Sequence, residues 1–274
     1  MIEHKARLSM RALVLAAGAC AASAALGQSN TADEIAKYRA MLQDGNPAEL
    51  VVMRGEELWK TKRGPKNASL EACDIGMGPG VLKGAYAKLP RYFADADAVQ
   101  DFESRLVWCM VNLQGFTPAE AKKNPYSGAG QRQTDVETLT AYVVEESRGA
   151  KIEVPQNHPK ERAAFARGQQ LFYMRGGPFD FSCSTCHSRD DQRIRLQELP
   201  NLTQKDAAQK AFAQWPAYRV SQGTLRTMQW RLNDCFRQQR FPYLEFTSPA
   251  SVDLITFLGV NASGGTMDSP AIKR

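Results

Sequence analysis

Residues 183–187 read Cys183-Ser-Thr-Cys186-His187, a C-x-x-C-H sequence. This is the attachment signature of c-type haem. Two thiols add to the two vinyl groups of one porphyrin, and the adjacent imidazole stands as proximal ligand to the iron. A cysteine pair also occurs in thioredoxin-like redox couples and in zinc sites. No second C-x-x-C exists to complete a zinc site, and no strand-like run precedes the motif as in a thioredoxin fold. Upstream, Glu161 to Met174 sets Ala164, Phe165, Leu171 and Phe172 near helical spacing, and Gly176-Gly-Pro178 leads into the motif. A helix followed by a haem loop is the start of a cytochrome c domain.

Working outward, the sequence repeats itself. Arg54-Gly-Glu-Glu-Leu58 matches Arg167-Gly-Gln-Gln-Leu171 at an offset of 113 residues. That offset carries Cys73 onto Cys186, Leu70 onto Cys183 and Asp74 onto His187. The first half therefore keeps one cysteine but has lost the first thiol and the iron ligand. Arg105-Leu-Val-Trp-Cys109 parallels Arg231-Leu-Asn-Asp-Cys235, and Val136 to Tyr142 parallels Ser251 to Phe257. Three blocks in order point to tandem duplication with drifted loop lengths. The predicted fold is mainly α: two tandem cytochrome c-like domains, the first without haem. We place the first over residues 28–155 and the haem-binding one over 156–274, with a hinge at His158-Pro159. The segment after Gly264 is short and polar and reads as disordered.

Residues 1–27 read as a signal peptide: Lys5, Arg7 and Arg11 precede the apolar run Ala12 to Ala22, and Ala25-Leu-Gly27 fits a cleavage site. This predicts a periplasmic protein. The 274 residues are 43% hydrophobic and 23% charged, enough chain for a sizeable core. A formal charge of +6 without a dense basic stripe argues against nucleic-acid binding. No apolar run approaches the roughly 20 residues of a membrane-spanning helix.

In an exported chain, thiols become disulfides or bind something. The mature cysteines are Cys73, Cys109, Cys183, Cys186 and Cys235. With its haem gone, the duplication sets Cys109 against Cys73 across the empty haem position, which predicts a Cys73–Cys109 disulfide. Cys183 and Cys186 take the haem, leaving Cys235. The distal ligand then comes from His158, Met228 or Cys235. Cys235 lies among Arg226, Arg231, Arg237 and Arg240, opposed by Asp234. On a helix Arg231 shares its face at i−4, where a cation favours the nucleophilic thiolate and attracts oxyanions.

A signal peptide, two cytochrome c-like halves, one C-x-x-C-H in the second and a downstream Arg-x-x-x-Cys resemble the SoxA family, over roughly residues 45–262. This chain is similar to its single-haem type, in which a disulfide takes the first haem position. The resemblance implies an L-cysteine S-thiosulfotransferase holding one covalently attached haem c. It implies that thiosulfate is coupled oxidatively to a cysteine of the SoxYZ carrier protein, with electrons passing to the SoxX cytochrome subunit. It further implies that His187 and Cys235 are the axial ligands, that Cys235 is a persulfide, and that Arg231 is the active-site arginine. The competing expectation is a simple electron-transfer cytochrome with Met228 as distal ligand.

Overall fold

The computed structural model describes Lys37, Met41 and residues 45–194 and 197–273. The signal segment lies outside them. The chain divides into units over residues 1–46 and 47–274. Only Lys37, Met41, Gly45 and Asn46 of the first are described. The second holds residues 47–155 of the first sequence half and all of the second half. No helix among the described residues is long and apolar enough to cross a membrane.

Two helix pairs frame this unit. Helix α1 (Ala48–Lys60) packs on α4 (Asp135–Glu145), and α5 (Pro159–Tyr173) packs on α9 (Pro249–Asn261). Between α1 and α4 lie the hairpin β1 (Arg91–Phe93) and β2 (Ala98–Gln100), then α2 (Phe102–Asn112) and α3 (Pro118–Ala121). Between α5 and α9 lie α6 (Cys183–His187), β3 (Arg193–Ile194), β4 (Gln197–Glu198), α7 (Lys205–Ala213), β5 (Ala217–Arg219), β6 (Thr224–Arg226) and α8 (Met228–Gln238). The C-terminal strand β7 (Ala271–Lys273) follows α9.

Glycine sets how closely each pair approaches. A Cβ at Gly55 would run into the Thr138 carbonyl and Tyr142 Cβ, and one at Gly168 into the Asp253 carbonyl and Phe257 Cβ. Each crossing carries an aromatic pair, Trp59 with Tyr142 at 6.4 Å and Phe172 with Phe257 at 5.1 Å. These residues lie in the first and third repeat blocks or, for Trp59 and Phe172, directly after the first, so the two crossings use the same register.

The correspondence continues between the pairs. A β-bridge joins Arg63 to Ala68, and another joins Gly176 to Phe181, 113 residues on. The β1–β2 register sets Arg91 against Gln100, and the β5–β6 register sets Ala217 against Arg226, 126 residues on. The helices that follow, α2 and α8, are capped by Asp101 and Thr227, whose side chains accept from Ser104 N–H and Trp230 N–H.

Two sequence expectations fail here. The segment after Gly264 is ordered: Met267 and Ala271 are buried, and β7 pairs in parallel with β5. Its strand partner lies some 50 residues away, so local composition carries no signal of it. His158-Pro159 is no free hinge. His158 caps α5, its Nδ1 accepting from Lys160 N–H, and its ring stacks on Tyr92 at 3.7 Å. Pro159 takes the first helical position, where its missing N–H costs nothing.

The first half closes on itself. Cys73 and Cys109 are joined by a disulfide, with Cα atoms 5.8 Å apart. Leu70, Ile75, Leu106 and both cysteines are fully buried around it. Arg105 is buried too. Its Nε donates to the Asp74 carbonyl, its two Nη atoms grip Asp95, and its guanidinium lies 4.1 Å from both the Phe93 and Trp108 rings. Asp74 is spent on a turn, its Oδ1 accepting from Gly76 N–H and Gly78 N–H.

Candidate haem and thiol site

The second half keeps a cavity of about 200 Å³. Its walls include Phe172 from α5, Cys183 and His187 from α6, Trp215, Met228, Arg231 and Cys235 from α8, and Leu254 and Leu258 from α9. The lining is largely apolar with few polar groups, the usual character of a cofactor site.

Helix α6 is one turn long and depends on its cap. The Ser182 hydroxyl accepts from Thr185 N–H at 3.2 Å, and Thr185 Oγ1 accepts in return from Ser182 N–H at 3.0 Å. This holds Cys183 and Cys186 at i, i+3 with His187 just beyond. The His187 Nδ1–H donates to the Pro200 carbonyl at 2.9 Å, which leaves Nε2 as the free base. Burial lowers its pKa, keeping the imidazole neutral, as an iron ligand requires.

The residues fit a haem c. Two thiols stand on one short helix, a neutral histidine is oriented through its second nitrogen, and a mostly apolar cavity adjoins them. Among the described residues no three His, Cys, Asp or Glu side chains group to chelate a bare metal ion. Burial pushes the Cys183 thiol up to about 12, with the nearby Cys235 adding to the shift.

Helix α8 brings Met228 and Cys235 to the same cavity, two turns apart on one face. His158, the third candidate for distal ligand, does not line it. Arg231 does, and its Nη1 donates to Asp234 at 3.0 Å. Asp234 is shared, accepting also from Arg237 Nη2 at 2.7 Å and Gln238 Nε2 at 2.8 Å.

The expected cationic surroundings of Cys235 need correcting. Arg226 is buried in an ion pair with Glu137 at 3.0 Å and faces the Trp230 ring; Arg237 and Arg240 are exposed. None of the three lines the cavity. Two cations without a sequence signal, Arg219 and Lys273, do. The expected thiolate is also not favoured by the protein alone. Burial pushes the Cys235 pKa up, and the opposing pull of Arg231 and Arg219 does not overcome it.

A family model described as SoxA/TsdA, cytochrome c domain, matches residues 54–152. The chain is 51% identical over 240 residues to "L-cysteine S-thiosulfotransferase subunit SoxA" of Hydrogenophilus thermoluteolus, covering 88% of this chain and 87% of that protein. It is 33% identical to a SoxA subunit of Hydrogenobacter thermophilus, covering 96% of each. In fold it is similar to a chain of the crystal structure of SoxXA from P. pantotrophus, with a TM-score of 0.70 and 21% identity, over 87% of this chain and 84% of that one. With a 51% identical relative matched over nearly its whole length, the chain belongs to the SoxA family.

Proposed function

We propose that Cys235 and Arg231 carry the thiosulfotransferase reaction of this SoxA-family subunit, beside one haem c attached through Cys183 and Cys186. His187 and Cys235 would hold its iron. The observation that carries it is the placement of Arg231 and Cys235, one helical turn apart, in the wall of the cavity that holds Cys183 and His187. The substrates are thiosulfate and a cysteine of the SoxYZ carrier, and the partner subunit is the SoxX cytochrome. The site works in the periplasm.

The reaction joins the sulfane sulfur of thiosulfate to the carrier cysteine sulfur. The thiol proton leaves, and two electrons must be withdrawn as the S–S bond forms. A haem bound here supplies the one-electron steps that withdraw them. Arg231 neutralises the sulfonate end while the sulfane end reacts. Asp234 aims the Arg231 fork without fully neutralising it, because Asp234 is shared with Arg237 and Gln238. Cys235 would hold the iron as thiolate or persulfide; burial alone disfavours the anionic form of its thiol, and Arg231 and Arg219 favour it.

The same reading makes residues 28–155 a cytochrome c-like domain without haem and residues 156–274 its haem-binding repeat. Its support is the shared register of the two helix crossings and the shared hairpin and cap positions. In this reading the Cys73–Cys109 disulfide and the clasped Arg105 stand where the first repeat would otherwise hold a haem.

The test is Cys235→Ala in the haem-loaded complex with its cytochrome partner. Thiosulfate coupling falls by at least about 100-fold while covalent haem is retained. Coupling that survives the substitution would sink the role of Cys235. Intact mass of periplasmically matured protein adds a check: one haem plus one sulfur atom that reduction removes. The plain electron-transfer reading rests on Met228, which is buried and lines the same cavity. Met228→Leu separates the two: the oxidised spectrum stays unchanged if Cys235 is the ligand, and changes if Met228 is.

A further inference from the structure

Arg219 and Lys273 sit side by side. They are register partners across the parallel strands β5 and β7, so their side chains leave the sheet on the same side. Both line the cavity, with Arg231 as third cation. The three feel one another: Arg231 and Arg219 both act on the charge of Lys273, and Arg219 acts on that of Cys235.

Among the described residues the anions nearby do not balance them. Glu198 lines the cavity, Asp268 faces Lys273 from the preceding loop, and Asp234 is shared as described. Arg219 Nε is buried with no hydrogen-bond partner. Lys273 Nζ makes one bond, to Gln214 Oε1 at 2.7 Å, and lies 5.8 Å from the Trp215 ring centre. Burial and the two guanidinium groups pull the Lys273 pKa down to about 8. Like charges held together out of water raise the energy of the site, and a bound anion relieves it.

We infer that Arg219 and Lys273 are anion-positioning residues that, with Arg231, hold the sulfonate oxygens of thiosulfate, which makes the C-terminal strand part of the substrate site. This rests on the Cys235–Arg231 reading and adds to it. A dianion with three oxygens at one end and sulfur at the other suits three cations beside a thiol. The carboxylates of the porphyrin share this oxyanion chemistry, and the experiment separates the two sources.

The measurement is steady-state thiosulfate coupling by the haem-loaded complex, with Lys273→Met, Arg219→Met and Lys273→Arg. Methionine keeps an apolar stem against Trp215, so packing is disturbed little. Each methionine variant raises KM about tenfold or more, the loss of one charge-assisted hydrogen bond, with a smaller fall in kcat. Lys273→Arg restores KM. Haem content and midpoint potential stay at the wild-type values, and sulfate competes with thiosulfate in the wild type but weakly in Lys273→Met. Unchanged KM in both methionine variants overturns the inference. So does a shifted potential with unchanged KM, which assigns the pair to the porphyrin carboxylates. Cys235→Ala run alongside tests the underlying reading on its own, because KM in the Lys273 series is read against active wild type.

Discussion

Arg105 and Arg231 occupy the same place in the repeat, four residues before a cysteine. Arg105 is buried, holds Asp95 with two bonds and closes over the Asp74 carbonyl; Arg231 has Asp234 and otherwise faces the cavity. Their substitutions should separate accordingly. Arg105→Met destabilises the protein by about 2–4 kcal/mol in urea unfolding, because it strips a buried network of its donor. Arg231→Met leaves the urea midpoint near wild type and lowers kcat/KM for thiosulfate at least tenfold. Lys273 adds a pH dependence at this scale. Its charged form is lost as pH rises through about 8. KM for thiosulfate therefore rises above that pH in the wild type, and Lys273→Arg, which stays charged, flattens the rise.

At the scale of elements, the α5–α9 crossing and the α2–α8 contact decide most. Gly168→Ala pushes a methyl into the Asp253 carbonyl, so the helices must part. We expect a loss of about 2–4 kcal/mol and lower haem incorporation, read by unfolding and by haem absorbance per protein. The start of α8 docks against α2 through polar groups: Gln229 Nε2 donates to Asp101 at 2.6 Å, and Gln229 N–H to Glu103 at 3.4 Å. Burial holds Glu103 well above the ordinary carboxylate range, and the neighbouring Asp101 adds to this. A carboxyl raised in the folded state binds its proton more tightly there than in the unfolded chain. Its contribution is present below about pH 4.5 and is lost as pH rises through the higher folded value. Glu103→Gln should match wild type in urea at pH 4 and exceed it at pH 8; equal midpoints at pH 8 would count against a buried, raised Glu103.

For the whole molecule, the disulfide staples the first half. Cys73–Cys109 closes a separation of 36 residues. Chain-entropy arguments give such a loop about 3–4 kcal/mol. The double variant Cys73→Ser, Cys109→Ser should lose that much in urea and still carry covalent haem, since Cys183, Cys186 and His187 belong to other elements. The C-terminal strand works at the same scale: β7 holds β5, while Met267 and Gly265 bond back to residues 149–152.

Much of this architecture was legible in one dimension. The C-x-x-C-H spacing is covalent chemistry, which demands its residues in sequence. The matching blocks were visible in the sequence; that Gly55 and Gly168 stand at helix crossings, where only a missing side chain permits the approach, came from the structure. That Arg231 and Cys235 share a helix face was legible because helical spacing makes i and i+4 neighbours without any tertiary information. Arg219 and Lys273 were not, since their pairing joins strands some 50 residues apart and carries no local signal. Nor could charge counting tell that Arg226 is consumed by Glu137, or that burial outweighs the arginines at Cys235. Spacing along the chain determines which groups a single helix or motif presents. Which charges meet, and how much water they keep, is decided only when distant segments pack.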